Sequence, residues 1–297
     1  MEIRVLRYFV AVAEEGNISN AAKILNITQP TLSRQIKDLE NELGVELFAR
    51  GNKQITLTED GVLLHQRAME IIELADKTAS AFQEQKENVS GIISIGAVES
   101  NAVPYLMDIL KEFSDKYPKV QFCIYSGYVD DIKDKIDKGL VDIGLLVEPV
   151  EISKYDSMKL PYEDRWGVIV PKNHEIAGKK AVTIKDIVKY PLIIPRRAMI
   201  GGEIKSWLDP YNGKMRVVAA YNLLSSATYF VSNGAGIAIA LDGAMAVKEN
   251  KENVFIAVEP KRNVSSVLVW KKNHIFTTSL TLLLKMIRQR YCVNEIF

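Results

Sequence analysis

The stretch Ile27-Thr-Gln-Pro-Thr-Leu-Ser-Arg-Gln-Ile-Lys-Asp-Leu-Glu-Asn-Glu-Leu-Gly44 decides the fold of the first part of the chain. Thr28 belongs to the residue class that caps helix N-termini, and Pro30 is tolerated in a first helical turn. The apolar residues then recur at steps of four, three and four before Gly44: they are Leu32, Ile36, Leu39 and Leu43. This spacing predicts a helix with one buried face.

Two shorter helices are predicted before this stretch. The first ends at Gly16, and its apolar face consists of Leu6, Phe9, Val10 and Ala13. Ser19 is expected to cap a second, short helix over residues 20–25. Residues 26–28 then form the turn between the second and third helices.

A hairpin is predicted after the third helix. Residues 46–50 and 54–58 are strand-like arms around Gly51-Asn52, which is a hairpin signal. A helix-turn-helix followed by a hairpin is typical of winged DNA-binding domains, in which the second helix of the motif enters the major groove. We therefore expect a winged helix-turn-helix domain over residues 1–58.

The polar side of the third helix carries side chains suited to DNA. Those predicted to reach base edges are Gln29, Pro30, Ser33 and Arg34. Gln pairs with adenine, Arg pairs with guanine, and Pro can contact a thymine methyl group. Lys37, Arg50 and Lys53 are predicted to hold phosphates. Residues 1–58 contain seven basic and seven acidic side chains, so the prediction depends on this local patch, and a merely solvated face is the alternative.

Residues 59–88 are predicted to form one long linker helix, because they contain no Pro and a single Gly. Apolar and small residues recur in this segment at alternating steps of four and three, as in a coiled coil. The predicted dimerisation seam is Leu64, Ala68, Ile71, Ala75, Thr78 and Phe82. The alternative is a helix that packs on its own domain.

From residue 89 onward, strand-like runs alternate with helical patterns. The predicted strands are residues 92–95, 120–125, 141–147, 166–170, 192–194, 215–219, 237–241, 254–257 and 267–270. Alternation of this kind predicts parallel α/β sheets with crossover helices, arranged here as two doubly wound lobes.

The lobes of this second domain, residues 89–297, need at least two chain crossings. Pro149 and Pro161 bracket a stretch with little periodicity, where we expect the first crossing. Lobe I is then expected to contain residues 91–161 and 268–297. Lobe II is expected to contain residues 162–267.

Composition restricts the class of protein. The chain has 297 residues, of which 25% are charged and 47% hydrophobic, with a net charge of +1, as in soluble globular proteins. No apolar run reaches the ~18 residues of a membrane span, so we expect a cytoplasmic protein without membrane contact.

Cys123 and Cys292 are expected to be buried small hydrophobes, with a redox pair as the alternative. We find no catalytic or metal-binding motif, and expect no enzyme activity, metal or cofactor.

Several motifs follow one another through the first 61 residues. They are Ala21-Ala22, the run from Ile27 to Ile36, the run Leu39-Glu-Asn-Glu-Leu-Gly-Val-Glu-Leu-Phe48, Arg50 and Leu57-Thr58. Together they resemble the LysR-type transcriptional regulators without a gap. Asp60 and Lys53 depart from the family's usual Ala and Arg, and Lys lacks the planar fork of Arg. The remainder resembles the family's effector domain more loosely, through Gly96, Pro104, Phe113, Tyr117-Pro118 and Asn233-Gly-Ala-Gly-Ile-Ala-Ile239.

The resemblance implies a homodimer or homotetramer that binds an interrupted inverted repeat in double-stranded DNA and responds to a small-molecule effector. The family's effector domain resembles the periplasmic binding proteins, which bind a ligand between two lobes. Ligands of doubly wound sheets lie at the carboxyl ends of strands. The strand ends supply these candidate effector contacts: Glu99, Ser100, Asn101, Ser126, Gly127, Tyr128, Arg196, Arg197, Tyr221 and Asn222.

The expected effector is a small carboxylate. Arg196 and Arg197 are suited to clamp a carboxylate, although they are equally consistent with exposed arginines. Residues 89–297 contain 28 basic and 23 acidic side chains, which also favours an anion. If Glu99 points into the cleft, the effector also carries an ammonium group.

A second hypothesis assigns the chain a different function. It describes a ligand-binding α/β module, or an enzyme, with a helical extension for assembly. Under this hypothesis, Ser33, Arg34 and Lys37 have no reason to share one exposed face.

Overall fold

The computed structural model describes residues 1–50, 55–83, 89–196, 203–244, 251–272 and 276–291. The chain divides into two compact units, Met1–Lys86 and Glu87–Phe297. Each unit buries hydrophobic clusters of its own. A segment with a hydrophobic core of its own can fold as a separate domain.

The described part of the first unit consists of four helices and a two-stranded hairpin. These elements are α1 (Ile3–Glu15), α2 (Ile18–Ile24), α3 (Gln29–Leu43), β1 (Phe48–Arg50), β2 (Ile55–Leu57) and α4 (Glu59–Gln83). Strands β1 and β2 pair antiparallel, with Phe48 opposite Leu57. The predicted winged helix-turn-helix is thus confirmed, while the hairpin turn with Lys53 lies outside the described residues.

Side-chain caps set the ends of the motif helices. Thr28 caps α3 as predicted, because its Oγ1 accepts a backbone N–H three residues later at 3.4 Å, and Gly44 ends the helix with a φ of 72°. In α2 the cap is Asn17, whose Oδ1 accepts the N–H groups of Ser19 at 2.8 Å and Asn20 at 3.1 Å. The prediction that Ser19 is the cap is wrong, since Asn17 starts the helix earlier.

Helix α4 packs against its own unit along part of the predicted seam. Ala68 is completely buried and Leu64 is partly buried against the core that α1 and α3 also form. Ile72, outside the predicted seam, packs on the same core. The predicted dimer role of Ala68 is therefore wrong, because its side chain is not accessible to a second chain. A helix buried on its own domain shows nearly the same apolar spacing as a coiled coil.

Other positions of α4 form an open flank. Leu63, Ile71 and Leu74 are 57%, 37% and 44% exposed, and at about 100° per residue they lie within one quarter of the helix circumference. Of the remaining seam positions, Ala75 is partly buried and Thr78 is exposed. The side chain of Phe82 lies outside the description. The open flank, defined as Leu63, Ile71 and Leu74, shares only Ile71 with the predicted seam.

The second unit alternates strands and helices. Its first half contains β3 (Gly91–Ala97), α5 (Val103–Lys116), β4 (Val120–Ser126), α6 (Val129–Asp137), β5 (Ile143–Val147), β6 (Tyr155–Pro171), β7 (Ala181–Thr183), α7 (Ile184–Ile187) and β8 (Pro191–Pro195). Its second half contains α8 (Glu203–Leu208), a 3-10 turn (Asp209–Tyr211), β9 (Arg216–Tyr221), α9 (Leu224–Ser232), β10 (Ile237–Leu241), β11 (Asn253–Glu259), β12 (Asn263–Lys271) and α10 (Thr278–Tyr291).

The strands form two lobes that share the long strand β6. Lobe I has the order β4-β3-β5-β12-β6, and lobe II has the order β6-β10-β8-β9, with β11 between β6 and β7. Strands β3, β4 and β5 are parallel, as are β8, β9 and β10. However, β12 runs antiparallel to β5 and β6, and β10 and β11 run antiparallel to β6. The prediction of parallel sheets is corrected to mixed sheets.

The chain crosses between lobes inside β6, not in the stretch between Pro149 and Pro161. Up to Arg165 the strand pairs with β12 in lobe I, and from Trp166 it pairs with β10 in lobe II. Pro161 stands in a bulge, because β6 has three residues there opposite the single residue Ser266 of β12. A proline cannot donate a ladder hydrogen bond, and a bulge tolerates it.

The return crossing also differs from the expected boundary. β12 begins at Asn263 and pairs from its first residue with the lobe I part of β6, opposite Arg165. Residues 263–267 therefore belong to the sheet of lobe I, whereas the sequence analysis places them in lobe II.

Cys123 is exposed, contrary to the prediction of a buried small hydrophobe. It lies on β4, which is the edge strand of the lobe I sheet among the described strands. Cys292 lies outside the described residues. Among the described helices, none is both long and apolar enough to cross a membrane.

Candidate DNA-binding face and effector cleft

Helix α3 presents the predicted base-reading side chains on its outer side. Gln29, Pro30, Arg34 and Lys37 are exposed, and Ser33 is partly exposed. The Arg34 side chain is 84% exposed, and its Nε lies 3.8 Å from Asp38 Oδ2. An exposed pair at this distance contributes little, so that Arg34 is available to another partner.

A packed core holds this face in place. Leu32, Ile36 and Leu39 are at most 4% exposed, and they point into the core of the first unit. The outer side chains of α3 therefore project from a helix that cannot easily rotate. Arg50 is the last residue of β1, but its side chain, like all of Lys53, lies outside the description.

Glu40 connects α3 to the wing, a role that the sequence analysis missed. Its Oε1 accepts hydrogen bonds from the backbone N–H groups of Leu47 at 2.9 Å and Phe48 at 3.3 Å. Gly61 lies at the same junction, where an added Cβ would be 2.1 Å from the Leu47 carbonyl oxygen. The only sequence signal for this role of Glu40 was the position of an acidic residue near the end of a helix that a hairpin follows.

A cleft of about 170 Å³ lies between the two lobes of the second unit. Six of the ten predicted effector contacts line it: Glu99, Ser126, Gly127, Tyr128, Tyr221 and Asn222. They follow the ends of β3, β4 and β9, as expected for parallel strands that deliver their carboxyl ends to one site.

The other predicted contacts do not line the cleft. Ser100 is 1% exposed, which leaves no surface for a ligand. The Asn101 Nδ2 donates to the Glu163 carbonyl oxygen and to Asp242 Oδ1, both at 3.1 Å, so this side chain connects the lobes. Arg196 is exposed beyond the lining, and Arg197 lies outside the described residues. The predicted carboxylate clamp therefore has no support in the described structure.

The sequence analysis missed most of the apolar lining. The lining residues that are not among the ten predicted contacts are Val98, Val129, Val147, Glu148, Pro149, Trp166, Pro195, Ile204, Leu223, Leu224, Leu241, Ala244 and Val264; of these, Pro195 and Leu223 lie in strand-end stretches that the sequence singles out. The end of β5 could have been identified, because Val147 ends a predicted parallel strand and Glu148 and Pro149 follow it. Trp166 and Val264 lie on antiparallel strands. The rule that ligands bind at the carboxyl ends of parallel strands does not apply to such strands.

Two tyrosines bridge the cleft. The Tyr128 hydroxyl of lobe I donates to the Tyr221 carbonyl oxygen of lobe II, which also accepts the Arg196 N–H at 2.9 Å. The Tyr221 hydroxyl donates to the Ile239 carbonyl oxygen at 2.7 Å. Burial raises the pKa of Tyr128 to about 12, so its hydroxyl keeps its proton and remains a donor at neutral pH.

Two carboxylates lie in the cleft wall. Burial raises the pKa of Glu99 above its ordinary value of 4.5. Glu148 pairs with a cation at an exposed position, where its Oε2 is 3.4 Å from the Lys159 ammonium group. The described lining contains no Lys, Arg or His.

Comparison with known proteins matches both units. A family model described as LysR substrate binding domain matches residues 86–291, and one described as bacterial regulatory helix-turn-helix protein, lysR family, matches residues 3–62. The HTH-type transcriptional regulator CzcR of Bacillus cereus is 27% identical over 297 residues, covering 99% of each chain. The Hca operon transcriptional activator HcaR of Escherichia coli is 28% identical over 283 residues, covering 93% of each chain.

Solved structures agree in fold. The crystal structure of CbnR, a LysR family transcriptional regulator, has a TM-score of 0.74 at 20% identity and covers 98% of this chain and 99% of its own. The structure of full-length CbnR complexed with its target DNA has a TM-score of 0.73 at 21% identity, covering 97% of this chain and 99% of that chain. With two family models that together span nearly the whole sequence, the chain belongs to the LysR family of DNA-binding transcriptional regulators with an effector-binding domain.

Proposed function

We propose that this chain regulates transcription as a homo-oligomer that reads an interrupted inverted repeat with α3 and responds, without catalysing a reaction, to a small molecule in the interlobe cleft. The observation that carries the proposal is the outer side of α3, where exposed polar side chains project from a helix with a fully packed inner side. A major groove admits one such helix.

In this proposal the residues of α3 divide the work of recognition. Gln29, Pro30, Ser33 and Arg34 contact base edges, since they lie in the first two turns of the helix that enters the groove. Lys37, together with Arg50 and Lys53 of the hairpin, holds phosphates and sets the register.

Assembly would use the open flank of α4. Leu63, Ile71 and Leu74 expose apolar surface on one side of a 25-residue helix, and a second copy of that helix would cover it. Two heads related by a twofold axis bind two half-sites, which is why an inverted repeat is expected.

Effector response would arise from the shared lining of the cleft. Residues of lobe I such as Tyr128 and residues of lobe II such as Tyr221 face the same space, so a ligand that contacts both favours one arrangement of the lobes. A ligand can shift DNA affinity only if it binds one arrangement better than another.

The competing function is a ligand-binding module, or an enzyme, with a helical assembly extension and no DNA site. The full-length chain should be incubated with fragmented genomic DNA, and the recovered fragments sequenced and titrated by fluorescence anisotropy. We expect a shared inverted repeat among the fragments. Arg34→Ala should weaken binding to that repeat, whereas Lys180→Ala, which removes an exposed cation of the second unit, should not. Recovery of fragments without a common sequence would favour the competing function.

A further inference from the structure

The interlobe cleft has an unusual balance of charge for a site expected to hold an anion. Its described lining contains Glu99 and Glu148, no cationic side chain, and otherwise mainly aliphatic and aromatic groups. An anionic ligand there would meet negative charge in a partly desolvated space, where repulsion is stronger than in water.

The two carboxylates of the cleft differ in their surroundings. Glu148 already has the Lys159 ammonium group at 3.4 Å, and that pair lies at the exposed rim. Glu99 is partly buried, and the described part of the cleft lining offers it no Lys, Arg or His. Burial raises the pKa of Glu99, because a partly buried carboxylate without a counter-charge is costly to ionise. Glu99 is therefore the position in the cleft where a ligand cation would gain most.

Aromatic groups lie in the same lining as Glu99. Tyr128, Tyr221 and Trp166 belong to the lining and come from both lobes; burial raises the pKa of the Tyr221 hydroxyl, and the charges of Tyr128 and Glu99 add to this shift. Aromatic rings attract ammonium groups and also bury apolar ligand surface. Asn222 and Ser126 supply neutral polar groups to the same wall.

We propose that the cleft takes a small apolar ligand with a protonated amine, and that Glu99 is the counter-ion of this amine. The proposal rests on the proposed effector role of the cleft, and it replaces the expected carboxylate with a ligand of opposite charge. The apolar part of the ligand lies against the aliphatic wall formed by Val98, Leu224 and Val264. The volume of about 170 Å³ suits a ligand of roughly one ring and a short chain.

Three probes that share a ring and a two-carbon chain test the ligand charge: 2-phenylethylamine, 2-phenylethanol and 3-phenylpropionate. Calorimetric titration of the full-length chain at neutral pH should give an affinity for the amine about tenfold or more above that for the alcohol and the carboxylate. Glu99→Gln should remove most of the amine's advantage over the alcohol. Asp156→Asn, which removes an exposed acid of lobe I outside the cleft lining, should keep this advantage.

Three results would overturn the proposal. The first is tighter binding of the carboxylate, the second is an unchanged advantage of the amine in Glu99→Gln, and the third is no binding of any probe in the millimolar range. DNA binding measured in parallel separates this failure from that of the proposed function. If the carboxylate binds and alters DNA affinity, the regulator stands and only the ligand class is wrong. If the chain selects no DNA, the regulatory function is wrong whichever probe binds.

Discussion

Replacement of Glu40 by Ala tests how α3 and the wing are held together. The carboxylate accepts two backbone N–H groups, from Leu47 at 2.9 Å and from Phe48 at 3.3 Å, and it is partly buried at this junction. A hydrogen bond to a charged group contributes ~1.5–3 kcal/mol. Since the second bond is long and water reaches part of the site, we expect Glu40→Ala to lower the free energy of unfolding of the first unit by about 2 kcal/mol.

The conservative variant Glu40→Gln should lose about half as much, because a neutral acceptor forms hydrogen bonds roughly half as strong as a charged one. Glu42→Ala is a matched control on the same helix. Its carboxylate is 53% exposed and pairs with the N-terminal ammonium group, so its removal should cost less than about 1 kcal/mol.

Urea denaturation of the full-length chain, followed by circular dichroism, gives these free energies. Hydrogen–deuterium exchange of peptides that cover residues 45–50 then locates the effect. We expect faster exchange there in Glu40→Ala, together with weaker DNA binding, because the wing no longer has a fixed position beside α3. If Glu40→Ala loses no more stability than Glu42→Ala, and exchange in the wing is unchanged, the carboxylate does not hold this junction.

Three further predictions concern α4 and the cleft. Ile71→Asp should give smaller species in analytical ultracentrifugation, since an unpaired charge is costly in an apolar interface, and an unchanged sedimentation coefficient would place assembly elsewhere. Tyr128→Phe should lower the free energy of unfolding of the second unit by ~0.5–1.5 kcal/mol, because one hydrogen bond to Tyr221 between the lobes is lost; a variant as stable as the parent would contradict this. The raised pKa of Glu99 contributes stability below pH 4.5 that is lost as the pH rises through the folded-state value. Glu99→Gln should therefore raise the melting temperature of the second unit at neutral pH but not below pH 4.5, and an equal shift at both would refute the assignment to a buried carboxylate.

The winged helix was predictable because its signals are local. Thr28, Gly44 and the apolar steps between them act within one helix, and the structure has α3 where the sequence places it. Asn17 and Ser19 both belong to residue types that favour an N-cap, so the sequence did not distinguish between them. The hydrogen bonds that the Asn17 side chain accepts identify Asn17 as the cap.

Local periodicity did not predict which part of the protein covers the apolar face of α4. The spacing of Leu64, Ala68 and Ile71 specifies an apolar face, but it does not specify what covers that face. In the structure the first unit covers Ala68 and Leu64, while Ile71 stays on the open flank. Only the packing of α1 against α4 settles which residues remain for a second chain.

In the effector-binding domain, the sequence alone determined nine of the ten described strands in their order, all but β7 (Ala181–Thr183), and the polar residues at the ends of parallel strands, such as Glu99, Ser126 and Tyr221. Tertiary structure alone decided which strands run antiparallel, and therefore that Trp166 and Val264 reach the cleft while Arg196 does not. The physical reason is the range of the interactions involved. Periodicity and capping act over a few residues, whereas β6 pairs with β12 across about a hundred residues of chain, and that pairing holds the strands that carry Trp166 and Val264.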